Sequence, residues 1–305
     1  MPNFVVTSLP AYVQENKDML LKNFALVGGG TRSRISVQTG VKSSAYINYL
    51  EVNPTLQDGT GCGFTAQGDV ILTQRTIETA AIKVNLEICP KTLRGKYAEY
   101  LIRINATEDT LPFEQYIMEG LTNNLVKKVE VLMWQGDKSK SGDANLKWID
   151  GFLKIAGAEA DVIDVKITGA NIYDDIMDVY VALPDEVIER GGEIYLSPAN
   201  YRKFLQEMVA KNYFHYASAV EAAPEEFYFP GTNVKVVSMQ GMTGVNDTIV
   251  GTFAKNLFYG CDMEGDEEDI KVWFSDDDDL YKVKVLWNCG VQIAFPNMLV
   301  LGKTA

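Results

Sequence analysis

Residues 111–137, LPFEQYIMEGLTNNLVKKVEVLMWQGD, decide how the rest of the chain is read. Phe113, Ile117, Leu121 and Leu125 recur at steps of four, and Tyr116, Val126, Val129, Leu132 and Met133 widen them into a broad apolar face. That spacing predicts an amphipathic helix over Leu111–Gln135. Asp109 or Thr110 can cap its N-terminus, Pro112 suits the first turn, and Gly136 follows the last. About 24 residues at ~1.5 Å each make a rod of roughly 36 Å. A rod with one apolar stripe needs a sheet or a second helix along its whole length. The rest of the chain is expected to supply that partner and two projections.

The first projection is an arm, residues 1–34. Pro10 begins an amphipathic stretch (Tyr12, Val13, Met19, Leu20, Phe24, Val27) that Gly28-Gly29-Gly30 closes, as glycine does at a helix C-terminus. The glycines do not make a phosphate loop, because no P-loop lysine follows them and the helix precedes them. The second projection is a two-stranded ribbon. SSAYINYLEV runs out to the tip NPTLQDGTGCG, and DVILTQRTIETAAIKVNLEI runs back. Thr, Val and Ile are dense in both arms, and Val84, Leu86 and Ile88 alternate with Lys83, Asn85 and Glu87. Pro54, Asp58, Gly59, Gly61 and Gly63 supply turn chemistry at the tip. Arms of roughly 20 residues at ~3.3 Å each predict a reach of up to about 60 Å. A ribbon of two strands is marginal alone in water, so another copy of the chain is expected to cover it.

Beyond the polar loop DKSKSGDANL, helix is expected at Asp174–Leu183 and strand at Glu193–Leu196. Ser197-Pro198 reads as an N-cap with proline at N1, opening a helix to about Lys211 with Tyr201, Phe204, Leu205, Met208 and Val209 buried. Further strands are expected at Phe227–Phe229, Asn233–Ser238, Ile249–Phe258, Ile270–Phe274, Tyr281–Trp287, Val291–Phe295 and Met298–Leu301. In the third last of these, Tyr281, Val283, Val285 and Trp287 alternate with Lys282 and Lys284, a half-buried antiparallel pattern.

Composition excludes several classes of function. The 305 residues carry a net charge of −13, which argues against an open nucleic-acid groove. Hydrophobic content of 47% with 23% charged residues is ordinary globular chemistry. Cys62, Cys89, Cys261 and Cys289 form no metal-binding spacing, which favours thiols in a reducing compartment. MPNFVVTSLPAYV lacks a basic signal-peptide start, and no apolar run reaches the ~18 residues of a membrane helix. A soluble intracellular product is expected. His215 is the only histidine, so triads and histidine-based metal sites would all rest on it, and GxSxG, HExxH and GxGxxG do not occur. The nine acidic residues between Glu264 and Asp279 do not match a calcium-loop spacing and read as solvated turns. Asp58-Gly-Thr-Gly lacks the order and the second copy of an aspartic-protease loop. The four tryptophans, Trp134, Trp148, Trp273 and Trp287, read as core. No catalytic, cofactor or metal site is expected.

The order of these elements resembles the major capsid proteins of tailed bacteriophages, the Hong Kong 97 fold. The resemblance rests on the helix ending in WQGD, on YLSPANYRKFLQEM and PGTNVKVV, and on the C-terminal GCDMEGDEEDIKVWFSDDDDLYKVKVLWNCGVQIAFPNMLVL. It implies an α+β capsid fold in four parts: an N-terminal arm (1–34), an extended β-hairpin loop (35–90), a peripheral domain with the long spine helix (91–150 and 250–289), and an α/β axial domain (151–249 and 290–305).

What the resemblance implies for function is a non-enzymatic subunit that self-assembles into pentamers and hexamers of an icosahedral virion capsid, in the bacterial host cytoplasm. Double-stranded DNA would be enclosed rather than bound by sequence. The partners implied are the chain itself, a portal and a separate scaffolding protein. Pro54, Asp58, Gly59, Gly61 and Gly63 of the loop, with Tyr12 and Phe24 of the arm, are the expected assembly contacts. Some relatives join subunits by a Lys–Asn isopeptide bond, and nothing near Lys42 supports that chemistry here. Two other classes stay open: an encapsulin-type compartment, which shares the fold but stores protein cargo, and a cytosolic enzyme with an atypical carboxylate site.

Overall fold

The helix expected at 111–135 is α1 (Phe113–Gln135), and the two larger sheets pack against it. The computed structural model describes residues 30–57, 67–89, 113–211, 226–229, 231–262, 269–278 and 280–304. Met118, Leu125, Val129, Leu132, Met133 and Trp134 of α1 are buried, and Ile117 and Leu121 pack half-buried against the same core. Gly136 ends the helix for a steric reason. A Cβ there would lie 2.5 Å from the Ile149 carbonyl oxygen, and the Gly136 carbonyl accepts from the Gly151 amide at 2.8 Å.

One sheet has six strands in the order β5 (Ile163–Ile167), β13 (Val300–Thr304), β9 (Thr248–Thr252), β6 (Glu193–Leu196), β8 (Lys235–Ser238) and β7 (Glu226–Tyr228). Its two faces serve two cores, because strand side chains alternate. Ile194, Leu196, Val236, Ile249 and Val300 pack under helices α3 (Ile172–Ala182) and α5 (Pro198–Ala210), with the short α4 (Asp185–Glu189) between them in the chain. Tyr195, Val237, Val250 and Leu301 join the core of α1 and the short α2 (Phe152–Ala158). Asn171 and Ser197 cap α3 and α5 as acceptors of backbone N–H groups. The expected burial in α5 holds for Tyr201, Phe204 and Met208, whereas Val209 faces solvent.

The second sheet is organised on β12 (Leu280–Ile293), the longest strand. Strand β10 (Leu257–Cys261) pairs antiparallel with its C-terminal part, β11 (Asp269–Ser275) and β4 (Ala80–Ile88) pair with the rest, and β1 (Ser36–Gln38) lies parallel to β10. Tyr281, Val283, Val285 and Trp287 are buried, as their alternation predicts. Trp134 and Trp287 are core residues, but Trp148 and Trp273 are over 40% exposed.

Two sequence expectations about the strands change. The apolar run Ile249–Phe258 is two strands in different sheets, divided by a 3-10 turn at Ala254–Asn256. Asn256 holds that turn: Nδ2 donates to Thr252 Oγ1 and to the Phe295 carbonyl at 2.9 Å, and Oδ1 accepts from the Phe295 amide. The ribbon is also shorter. Strands β2 (Ser44–Pro54) and β3 (Gly68–Glu78) pair from Ser44–Glu78 to Pro54–Gly68, a reach of ~36 Å at ~3.3 Å per residue. The stretch read as the rest of the returning arm is β4, which satisfies its half-buried alternation against β12 instead.

The ribbon leaves the body across a pair of glycines. Gly260 and Gly290 are register partners in β10 and β12. A Cβ at Gly290 would lie 2.0 Å from the Glu78 carbonyl oxygen, and one at Gly260 would lie 2.7 Å from Ile77 Cγ2. Since backbone cannot yield as a flexible side chain does, Gly290→Ala is expected to lower unfolding free energy by about 1–3 kcal/mol. Gly142→Ala, where a Cβ meets nothing within 4 Å, should stay within about 0.5 kcal/mol of the parent. Urea denaturation of both variants checks the difference.

Candidate assembly surface

The register of β2 and β3 sorts their side chains into two faces. On one, Ile47 and Ile77 form a small core with Val41 and Ala294. Tyr49 meets the Phe295 ring edge-on at 4.4 Å, and Arg75 pairs with Glu159 just beyond α2. Gln292 Nε2 adds a hydrogen bond to the Thr76 carbonyl at 2.8 Å. These contacts fasten the proximal half of the ribbon.

Among the described residues the opposite face has no such cover. Tyr46, Val52, Val70 and Leu72 share it and are 63%, 52%, 68% and 63% exposed. Beyond the last register pair, Leu56 is 97% exposed. Val52 and Val70 are register partners with Leu72 beside them, so exposed apolar side chains cluster on this projecting element and make it the candidate interaction surface. Of the expected contact residues, Pro54 stands exposed in the last register pair. Asp58, Gly59, Gly61, Gly63, Tyr12 and Phe24 lie outside the described residues, as do His215, Cys62 and the capping positions Asp109 and Thr110.

The point where the arm meets the body was missed in the sequence. Glu130 is buried in α1, its carboxylate accepting from Thr31 Oγ1, which in turn accepts from Trp134 Nε1 at 2.9 Å. The Arg32 guanidinium stands 5.8 Å from the centre of the Tyr259 ring. Arg34 Nη1 donates to both carboxylate oxygens of Glu193, at 3.2 and 3.3 Å. Thr31, Arg32 and Arg34 thereby tie one short segment to α1 and to both sheets. The signal was an acid at a stripe position, since Val126, Glu130 and Met133 follow helical spacing.

Burial pushes the Glu130 carboxyl above its ordinary range, opposed in part by the Thr31 hydrogen bond and the Arg32 charge. Burial likewise raises the Tyr195 phenol, with the Glu193 charge acting the same way.

No protein-family model matches the sequence, and no curated protein matches it. Solved structures do match by shape. The chain is similar to a protein of the satellite phage P4 procapsid, with TM-score 0.63 at 14% identity over 100% of this chain and 98% of that one. A gene transfer agent capsid protein gives TM-score 0.55 at 15% identity, covering 91% and 97%. A virus-like particle protein from Pyrococcus furiosus gives 0.50 at 10%, covering 97% of each. The fold is the Hong Kong 97 capsid fold. Its long helix, its projecting two-stranded loop and its C-terminal β-hairpin beside the helix are all present. Among the described residues, no three His, Cys, Asp or Glu side chains gather as a metal ion requires. No described helix is long and apolar enough to cross a membrane.

The raised Glu130 carboxyl fixes the sign of a pH effect. A raised folded-state pKa makes its contribution greatest below the ordinary value of 4.5, and that contribution is lost as pH rises through the folded value. Glu130→Gln cannot ionise. The stability of the parent relative to Glu130→Gln should therefore fall as pH rises from 4.5 toward neutrality, read as the difference in urea midpoints.

Proposed function

We propose that this chain is a structural shell subunit, the major capsid protein of a tailed phage or prophage. Pentamers and hexamers of it form an icosahedral container for double-stranded DNA. The observation that carries the reading is the ribbon: a two-stranded element whose apolar outer face no described residue covers. A neighbouring copy supplies the missing layer. Many such contacts, each weak, act together once a shell closes, because each further contact becomes intramolecular.

The net charge of −13 suits a container that encloses DNA without gripping it. A portal and a separate scaffolding protein complete the proposed partners, with assembly in the host cytoplasm. The likeness to a virus-like particle protein supports a second reading, an encapsulin-type compartment around protein cargo. The P4 procapsid likeness, with its higher TM-score, favours the phage reading. The contents of purified particles, DNA or protein, separate the two.

Deleting residues 54–63 tests the role of the ribbon. The shortened subunit should keep its thermal midpoint and lose the ability to form particles seen by negative-stain microscopy. Normal particles from the deleted chain would refute the reading.

A further inference from the structure

Strands β10 and β12 bring two cysteines together in the core of α1. Cys261 and Cys289 are register partners, the last pair of the β10–β12 ladder. Along an antiparallel ladder, hydrogen-bonded pairs alternate with pairs that are not. The Ala294 amide donates to the Asn256 carbonyl at 2.9 Å, which fixes the phase. Counted from that hydrogen-bonded pair, 257–293, 259–291 and 261–289 are the other kind. The Cys261 carbonyl agrees, since it turns away from β12 to accept from the Val41 amide at 3.1 Å.

Residues in a non-hydrogen-bonded pair stand closer, with Cα atoms about 4.5 Å apart. A disulfide spans Cα separations of roughly 4.4–6.8 Å. Both cysteines also point to one side. The adjoining pair Gly260–Gly290 faces Ile77 and Glu78 of the ribbon root, so Cys261 and Cys289 face the opposite way, where both are buried. Both stand as thiols. Cys89 is no rival for either. Cys289 pairs with Ala80 at one end of β4, and Cys89 follows Ile88 at the other, about 30 Å away at ~3.3 Å per residue.

We propose that Cys261 and Cys289 are a disulfide-forming pair, a staple that closes across β10 and β12 when the protein meets an oxidising medium. A small-molecule disulfide is the co-reactant. One cysteine thiolate attacks it, forming a mixed disulfide and releasing one small thiolate. The second cysteine thiolate then displaces the other, and the protein S–S bond forms. The protein loses two electrons, the small disulfide gains them, and the two cysteine protons end on the released thiols. Because the pair ends the ladder, local opening there reaches it without unfolding the sheet. The closed loop, 261–289, holds β11 and most of β12, so the bond ties the base of that hairpin to β10. In a reducing compartment the pair stays as thiols. On the shell reading, a particle makes that change of medium when it leaves its host, but the bond itself does not rest on that reading.

The test uses the purified full chain carrying Cys62→Ser and Cys89→Ser. It is incubated with hydroxyethyl disulfide under native conditions, alkylated, and digested with trypsin without reduction. Peptides 256–271 and 285–303, which hold one cysteine each, should appear joined, and a reductant should separate them. The thermal midpoint should rise by about 5 °C over that of the reduced protein. Cys289→Ala in the same background should show neither the joined peptides nor the rise on oxidation. Two alkylated cysteines, a mixed disulfide left on either one, or joined peptides with an unchanged midpoint would each overturn the staple and leave the shell reading standing.

Discussion

A sheet of two strands has no second layer, and that shortage shapes this molecule. Each strand side chain points to one face or the other, so a ribbon needs cover on both faces wherever both are apolar. At its root the ribbon has one face covered, through Ile47, Ile77 and the Tyr49–Phe295 ring contact. Farther out the cover stops while the apolar residues continue, with Ile71 exposed on one face and Val52, Val70 and Leu72 on the other. The packing of the fold fixes where the ribbon starts.

The fixing is done at the seam between the two sheets. The chain passes from the six-stranded to the five-stranded sheet at Asn256 and returns at Phe295, and Asn256 hydrogen-bonds both crossings together. The Phe295 ring then meets Tyr49 of the ribbon on one side and Phe253 on another. Next to it the Gly260–Gly290 pair lets the backbone at Glu78 lie directly on β12. The arm root uses the same region from the other end, through Thr31 on Glu130 and Arg34 on Glu193. Residues 31–34 and the root of the ribbon therefore both sit where the two larger sheets and the long helix meet.

Periodic elements were legible in the sequence. The four-residue step of α1, the alternation of β12 and the Ser197-Pro198 start of α5 each state one local requirement, and the fold meets it. Requirements set by distant partners were not legible. Strand β4 alternates in the same way whether it pairs with a ribbon or with β12, so the ribbon was read too long. The bend at Asn256 lies in an apolar run without proline or an Asp-Gly pair, and only the Phe295 backbone explains it. Glu130 carried no reading from the sequence, because its partner Thr31 is 99 residues away. Trp148 looked like core and instead stands at an open cleft. Of the candidate assembly surface, the ribbon and its Pro54 end were visible beforehand, while the contacts of Thr31, Arg32 and Arg34 were not.

The central claim is that the outer ribbon gains its order from a sibling molecule. Amide hydrogen exchange of residues 44–54 and 68–78, compared between dilute unassembled subunits and intact particles, measures this directly. The account predicts slow exchange at the root in both states, and slow exchange in the distal half only in particles. Equal and strong protection of the distal half in the lone subunit would contradict it.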